Sequence, residues 1–308
     1  MIKRYKIENS QILPSETENP AIWVVVSPTE DEKKWLVENF ALDEHNFASA
    51  FDPEEPARME FEPDHLALIF KRPKNYSSKD HFMFKVSSMG LFLFKDKLIL
   101  ALSEDINMFS GKYFKHVTGV REIFLKLIYN SIFHFMEHLK VINMIAEEIE
   151  TKITHSMENR HLLNLFTLEK SLVYYLNAIN ANSYVIDRLK HHTDKMGLTH
   201  KSVEFLDDII IENNQCYRQA EIYSNIFASL VGARASIVAN NLNILMKNLN
   251  AVVIAVAVPS FFAGVGGMSE LCTVTGITDP QLAFLTFVSL MLLLGAGTFW
   301  LIKSLEKH

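Results

Sequence analysis

The feature that most constrains this chain is residues 240–270, NNLNILMKNLNAVVIAVAVPSFFAGVGGMSE. They begin polar, pass into an uncharged run and end in a glycine-rich turn beside an acid. The run, roughly 20 residues, is long enough to cross a bilayer as one helix. Within it Asn243, Met246, Asn250, Val253, Ala257, Ser260 and Gly264 recur every three or four positions and so share one helix face. That face is small and polar, whereas Leu249, Val252, Ile254, Val256, Val258, Phe261 and Phe262 suit lipid or neighbouring helices. Polar groups in hydrocarbon are costly and tend to mark pathways, so the stripe is expected to line one. The same Gly, Ala and Ser spacing also lets two helix backbones approach closely, and spacing alone leaves both readings open.

A second uncharged span, Gln281 to Ile302, is again long enough to cross. The connector between the spans holds Glu270 and Asp279 but no Lys or Arg, while Lys247 precedes the first span and Lys303 and Lys307 follow the second. The positive-inside rule then puts both termini in the cytoplasm and the connector outside, in a lipid-embedded protein of the inner (plasma) membrane. The opening MIKRYKIENS is basic with no apolar region behind it, so no signal peptide is expected. The net charge of -6 argues against nucleic-acid binding, and two cysteines, Cys216 and Cys272, make no disulfide or metal framework.

Proline divides the remainder of the chain. Pro14, Pro20, Pro28, Pro53, Pro56, Pro63 and Pro73 fall in the first quarter, and the next is Pro259. Because proline interrupts helices, the proline-free middle reads as helical and the architecture changes near residue 110. Residues 1–112 read as an α/β domain. Ile22 to Val26 is a buried strand, and Thr29 with Glu32 forms the capping box of a helix to about Ala41. Further strands are expected at Arg58 to Glu62, His65 to Lys71, His81 to Ser87, Leu91 to Phe94 and Lys97 to Leu102. Residues 113–198 read as two antiparallel helices that turn at Ser156 to His161, with Gly197 as a C-cap and Thr199 as the next N-cap. From Thr199 no proline intervenes until Pro259, about 60 residues, or on the order of 90 Å of helix. Leu206, Ile209, Asn213, Tyr217, Ala220, Phe227, Leu230 and Ile237 run down it at heptad-like spacing, as in a bundled stalk. The stalk and the first span are therefore one helix, residues 199–268, followed by a loop at 269–280, the second span at 281–302 and a basic tail at 303–308. The fold class is α+β: a cytoplasmic α/β domain, a long helical stalk and two C-terminal transmembrane helices.

On these residues the chain resembles the CorA family of divalent-cation channels. The family's mark is a Gly-Met-Asn triplet just outside the membrane after a small-residue turn; here Ala263, Gly264, Val265 and Gly266 lead into Gly267, Met268 and Ser269. Asn240, Asn243, Met246 and Lys247 match the N-x-x-N-x-x-M-K of its pore helix, and the W-x-x-x-x-P-T opening and D-P-E-E-P-A-R-M-E are similar to its cytoplasmic domain in pattern. The departure is Ser269 in place of Asn. The resemblance implies a funnel-shaped homo-oligomer, a pentamer, that carries magnesium, or cobalt or nickel, passively into the cytoplasm. It implies a selectivity mouth at Gly267, Met268, Ser269 and Glu270 and a pore lined by the stripe. It also implies a regulatory cation between subunits at Asp208, with Asp207 beside it and a partner acid from the α/β domain, for which Asp80 is the candidate. Magnesium enters as substrate and regulatory ligand; no cofactor is implied. The alternatives are the zinc-transporting branch of the superfamily and a membrane-anchored scaffold that no longer transports.

Other clusters carry less. His134 and His138 are one turn apart, as helix-borne metal ligands are, but no third ligand accompanies them. Asp207 and Asp208 also fit simple first-turn acids favoured by the helix dipole. Glu147, Glu148 and Glu150 read as a solvated face, although the resemblance implies acids near the basic tail. No Walker loop, nucleophile elbow or zinc-protease motif occurs, so neither an enzyme nor ATP-driven transport is expected.

Overall fold

The computed structural model describes residues 1–77, 80–155, 159–265, 273, 276 and 279–305, with only the backbone described at 152–155, 159–162 and 280. The chain forms two compact units, Met1–Val231 and Gly232–His308.

The first unit is built on one mixed sheet. Its strands are β1 (Ile2–Glu8), β2 (Gln11–Pro14), β3 (Ile22–Val26), β4 (Arg58–Phe61), β5 (His65–Pro73), β6 (Val86–Phe94) and β7 (Leu98–Leu102), in the order β2-β1-β3-β7-β6-β5-β4. Only β3 and β7 run parallel; the other neighbours are antiparallel. The uninterrupted apolar runs of β3, β5 and β7 are explained by helices covering both faces. Alternate residues serve each side. Trp23, Val25, Ala67, Ile69, Phe92, Ile99 and Ala101 pack under α1 (Glu30–Phe40) and α2 (Glu44–Ser49), with Leu36, Leu42 and Phe47. Ile22, Val24, Leu68, Phe70, Leu91 and Leu100 face α3 (Val120–His155) and α4 (Asn159–His191) in one larger core.

Local chemistry sets the ends of the elements. The expected capping box is present: Glu32 N–H donates to Thr29 Oγ1 and Thr29 N–H donates to Glu32. Ala41 closes α1 in the left-handed region, with φ 48° and ψ 44°. The shape of β6 differs from expectation. Two strands divided at Ser88 to Gly90 are replaced by one strand that starts only at Val86, and residues 81–85 are not strand. Glycine is tolerated in its middle because α2 lies almost on the backbone there: a methyl at Gly90 would sit 2.5 Å from Ala50 Cβ. The hairpin β1–β2 was not expected at all, because its strands are polar and mostly half-exposed and so lack the apolar pattern.

Polar side chains of α4 join it to the sheet. Asn182 accepts from the Lys71 N–H and donates to the Lys71 carbonyl, both at 2.9 Å. It thereby replaces a neighbouring strand on a stretch of β5 beyond the reach of β4. Phe84 N–H donates to Ser171 Oγ. The expected α3–α4 turn has residues 156–158 outside the described residues, and residues 159–161 are already helical. After α4, Gly197 has φ +63° and Ser202 N–H donates to Thr199 Oγ1, which starts α5 (His200–Val265).

The heptad-like face of α5 turns out to be spent within the chain. Leu206, Ile209, Ala220 and Phe227 are buried in the same core as α3 and α4, and buried Asn213 donates to Ser183 Oγ of α4 at 2.7 Å. Ile237, further on, is exposed. Helix α5 passes through Pro259 without ending, and the second unit pairs its last turns with α6 (Pro280–Leu305). Asp279 caps α6 by accepting from Gln281 N–H, with Pro280 at the position where a missing N–H costs nothing. Both α5 and α6 contain segments long and apolar enough to cross a membrane. Their hydroxyls are returned to the helix backbone: Ser260 donates to Val256 O, Thr286 to Leu282 O and Thr298 to Leu294 O. This removes the cost of an unpaired hydroxyl donor in hydrocarbon.

Candidate functional site

The face of α5 that meets α6 is marked by its loss of exposure. Ala251 is buried and Ala255, Val258, Pro259 and Ala263 are half-buried. At 3.6 residues per turn, the stripe Asn243, Met246, Asn250, Val253, Ala257, Ser260 and Gly264 is centred roughly half a turn away. All seven are exposed, Met246 at 60% and Val253 at 55%, and a methyl on Gly264 would meet nothing within 4 Å. Ser260 also borders a groove of about 480 Å³ between the helices, lined by Val256, Pro259, Met291 and Gly295 among others. Because its hydroxyl hydrogen goes to Val256 O at 2.8 Å, Ser260 presents outward an oxygen that can only accept. The mouth residues Gly267, Met268, Ser269 and Glu270 lie outside the described residues, as do Gly266, Cys272, Lys307 and His308.

In the first unit, Asp207 and Asp208 have different surroundings. Asp207 is held by Lys190 of α4, with Nζ to carboxylate distances of 2.6 and 2.7 Å. Asp208 is exposed and opens onto a hollow of about 310 Å³ shared with Tyr113, Tyr129, Phe205, Ile211 and Glu212. Burial, the neighbouring Tyr113, and then the charges of Glu212 and Asp208 push the Tyr129 phenol above its ordinary range. Glu212, one turn after Asp208, therefore adds a second carboxylate to the same helix face, which the sequence reading missed although the i, i+4 spacing was available. Asp80 is engaged elsewhere: it accepts from Ser77 N–H at 2.8 Å and Ser77 Oγ at 2.7 Å, and these bonds hold its carboxyl below the usual range. It is not among the residues lining the Asp208 hollow. Among the described residues of the chain, no three His, Cys, Asp or Glu side chains converge as a metal-ligand set.

His134, half-buried, and His138, buried, stand edge to face on α3 with ring centroids 4.3 Å apart. His138 Nδ1 is 2.6 Å from Tyr175 OH, so one imidazole is committed to a tyrosine of α4. Burial drives both pKa values down from 6.5 to about 4, assisted at His134 by the Arg72 guanidinium and at His138 by His134. Neutral rings beside a buried cation are a core arrangement, and a metal ion there would face Arg72. Of the acidic run, Glu147 accepts from Asn143 Nδ2. Lys303 lies over the ring of Phe299 on its own helix, 5.3 Å from the centroid.

These features define a membrane protein in which an α+β unit continues, through one helix, into a pair of apolar helices whose exposed face carries a polar stripe. The chain belongs to the family of CorA-like Mg2+ transporter proteins, which it matches over residues 18–304. It is 23% identical over 259 residues to the cobalt/magnesium transport protein CorA of Methanocaldococcus jannaschii, covering 80% of each chain. The complete structure of that organism's CorA magnesium transporter superposes with a TM-score of 0.76 at 19% identity, covering 97% of this chain and 96% of the other. The full-length CmaX protein superposes with a TM-score of 0.71 at 12% identity, covering 98% of this chain and 96% of the other. The ZntB cytoplasmic domain of Vibrio parahaemolyticus superposes with a TM-score of 0.59 at 13% identity, covering 76% of this chain and 97% of that domain. The chain is thus a member of a transporter family rather than of an enzyme family.

Proposed function

We propose that this protein is a homo-oligomeric channel, a pentamer in the manner of the CorA family, that passes magnesium into the cytoplasm down the membrane potential. The observation that carries the reading is the stripe of α5: it is polar and small, it is exposed, and it is centred on the side of the helix away from α6. Copies arranged around an axis with their stripes inward enclose a path of amide and hydroxyl oxygens, interrupted at Met246 and Val253 by apolar rings that close by dewetting. A doubly charged ion falling through about 100 mV gains roughly 4.6 kcal/mol, so no chemical fuel is required. The lysine distribution supports an orientation with both termini in the cytoplasm and the 269–280 loop outside.

At the mouth, Ser269 replaces the amide of the family triplet. Magnesium gives up water reluctantly, so a ring of amides selects it through hydrogen bonds to the intact hydration shell. A serine ring reaches less far and leaves a wider opening. The carbonyls of Gly266 and Gly267 and the charge of Glu270 supply part of what is lost. Capture is therefore weaker and discrimination poorer than at a Gly-Met-Asn mouth.

The test is flux into liposomes holding the purified protein, with magnesium, cobalt, nickel and zinc in competition and the potential set by a potassium gradient. Potential-dependent magnesium entry is expected. Zinc preference with no magnesium entry favours the zinc-transporting branch, and no cation flux at all leaves a scaffold. Ser269→Asn is expected to tighten magnesium block and Glu270→Gln to weaken it. An unchanged affinity in Ser269→Asn removes the mouth from ion choice.

A further inference from the structure

Pro259 sits inside α5, where it has no N–H to return to the Ala255 carbonyl four residues earlier. The hydroxyl beside it does not fill the gap, since Ser260 donates to Val256 O instead. What stands against Ala255 O is Gly295 of α6: a methyl built there would lie 3.1 Å from that oxygen and 3.4 Å from Pro259 Cγ. Both neighbours belong to a proline turn, and the nearer is a backbone atom that cannot rotate away. Gly297, two residues further along the same helix, has nothing within 4 Å of a built methyl. Close approach at position 295 is therefore a property of that residue, not of a glycine-rich helix in general.

We propose that Gly295 is a positioning residue for transport: its bare backbone seats α6 on the proline turn of α5 and so sets how far Val253, Ala257 and Ser260, around the helix from that seat, project into the pore. This rests on the channel reading given above. Tight apposition supplies weak Cα–H···O and dispersion contacts to a carbonyl that has lost its intrahelical donor. A side chain at position 295 must push α5 off α6, and the direction of that push is toward the stripe.

The experiment compares Gly295→Ala, Gly295→Val and Gly297→Val in the full-length protein in liposomes, with oligomer size checked by chromatography. Two readouts are taken: cation flux, and the rate of disulfide formation between cysteines placed by Val256→Cys and Leu292→Cys, located by peptide mass. Gly297→Val is expected to stay within twofold of wild type in both. Gly295→Ala is expected to lower flux several-fold and Gly295→Val at least tenfold, each slowing the cross-link. Pro259→Ala, which restores the N–H and removes Cγ, is expected to recover at least half of the Gly295→Ala loss. Equal behaviour of Gly295→Val and Gly297→Val in both readouts overturns the proposal. Should Gly295→Val fail to assemble, Gly295→Ala against Gly297→Val decides in the same way. Absence of flux in the wild-type protein defeats the channel reading alone, because the cross-linking rate still reports whether Gly295 seats the helix pair.

Discussion

Arg72 is almost fully buried, and its Nε and Nη2 have no hydrogen-bond partner, with Glu104 no nearer than 3.6 Å. His134 lies within its field and His138 next along α3, bonded to Tyr175. Any proton taken up by these rings adds charge to a core that already holds a guanidinium, whose ion-pair partner Glu104 stands 3.6 Å away. Both folded pKa values, about 4, lie below the ordinary 6.5, so the fold favours the neutral rings. The corresponding stability is fully present above pH 6.5 and is lost as pH falls toward 4. Carboxylates with lowered pKa, such as Glu30 held by Lys33, titrate below 4.5 and leave the window above that to the histidines. Thermal unfolding of the solubilised protein should therefore shift to lower temperature between pH 6.5 and 4.5, and His134→Leu with His138→Phe should flatten that slope. An identical slope in the double variant would reject the assignment. Asp208 gives a second prediction at this scale. If a cytoplasmic divalent cation bound at this acid holds subunits together, Asp208→Ala raises flux at millimolar internal magnesium and increases protease cleavage of α5. If neither changes, Asp208 is only an acid near the start of a helix.

At the scale of elements, strand β6 and helix α5 each show one pattern serving two purposes. The middle of β6 must be glycine because Ala50 Cβ, Phe92 Cε2 and Ala101 Cβ all lie within 3.3 Å of where a methyl would go. Gly90→Ala therefore overpacks the sheet–α2 contact and is expected to cost about 1–3 kcal/mol, read as a lower midpoint in thermal or denaturant unfolding. Glycine in a run of otherwise apolar residues reads in sequence as an interruption, which is why one strand was expected as two. Helix α5 spends one face on the core up to Phe227 and presents another, the stripe, from Asn243 onward. Cysteines substituted singly at Asn243, Asn250, Ala257 and Ser260 should react with a small polar thiol reagent in the open channel, while Val252→Cys and Phe261→Cys should not. Uniform labelling around the helix would leave the stripe with a packing role only.

Across the whole molecule, the two units place different demands on one chain. The first buries a two-sided sheet and so needs continuous apolar strands. The second leaves large apolar side chains such as Leu249, Val256, Phe261, Leu292, Leu293 and Trp300 exposed, as a surface bathed in lipid allows and one bathed in water does not. A single helix, His200–Val265, belongs to both. Any event that moves its first half, packed on α4, is thus covalently linked to its second half without an intervening hinge loop. The proposed regulation at Asp208 uses that linkage, and it predicts that substitutions at Asn213, which bonds Ser183 of α4, alter flux although they are remote from the stripe.

The class of this protein is legible in its residues alone. Two uncharged spans and an unbroken helical stretch between Thr199 and the first of them suffice for the architecture, because length, charge and proline spacing are local quantities that a bilayer or a helix reads directly, and the Gly267-Met268-Ser269 triplet carries the family resemblance. The capping box at Thr29 and the buried strands β3 and β7 were legible for the same reason. The contacts that could not be read this way join residues far apart in the chain. Asn182 as a substitute strand partner for Lys71, Tyr113 and Tyr129 beside Asp208, the commitment of the heptad-like face to α3 and α4, and Gly295 on the proline turn all depend on which surfaces meet. Periodicity tells that a face is apolar or small but not what covers it: the same i, i+3, i+4 spacing served a core in the first half of α5 and an open stripe in the second.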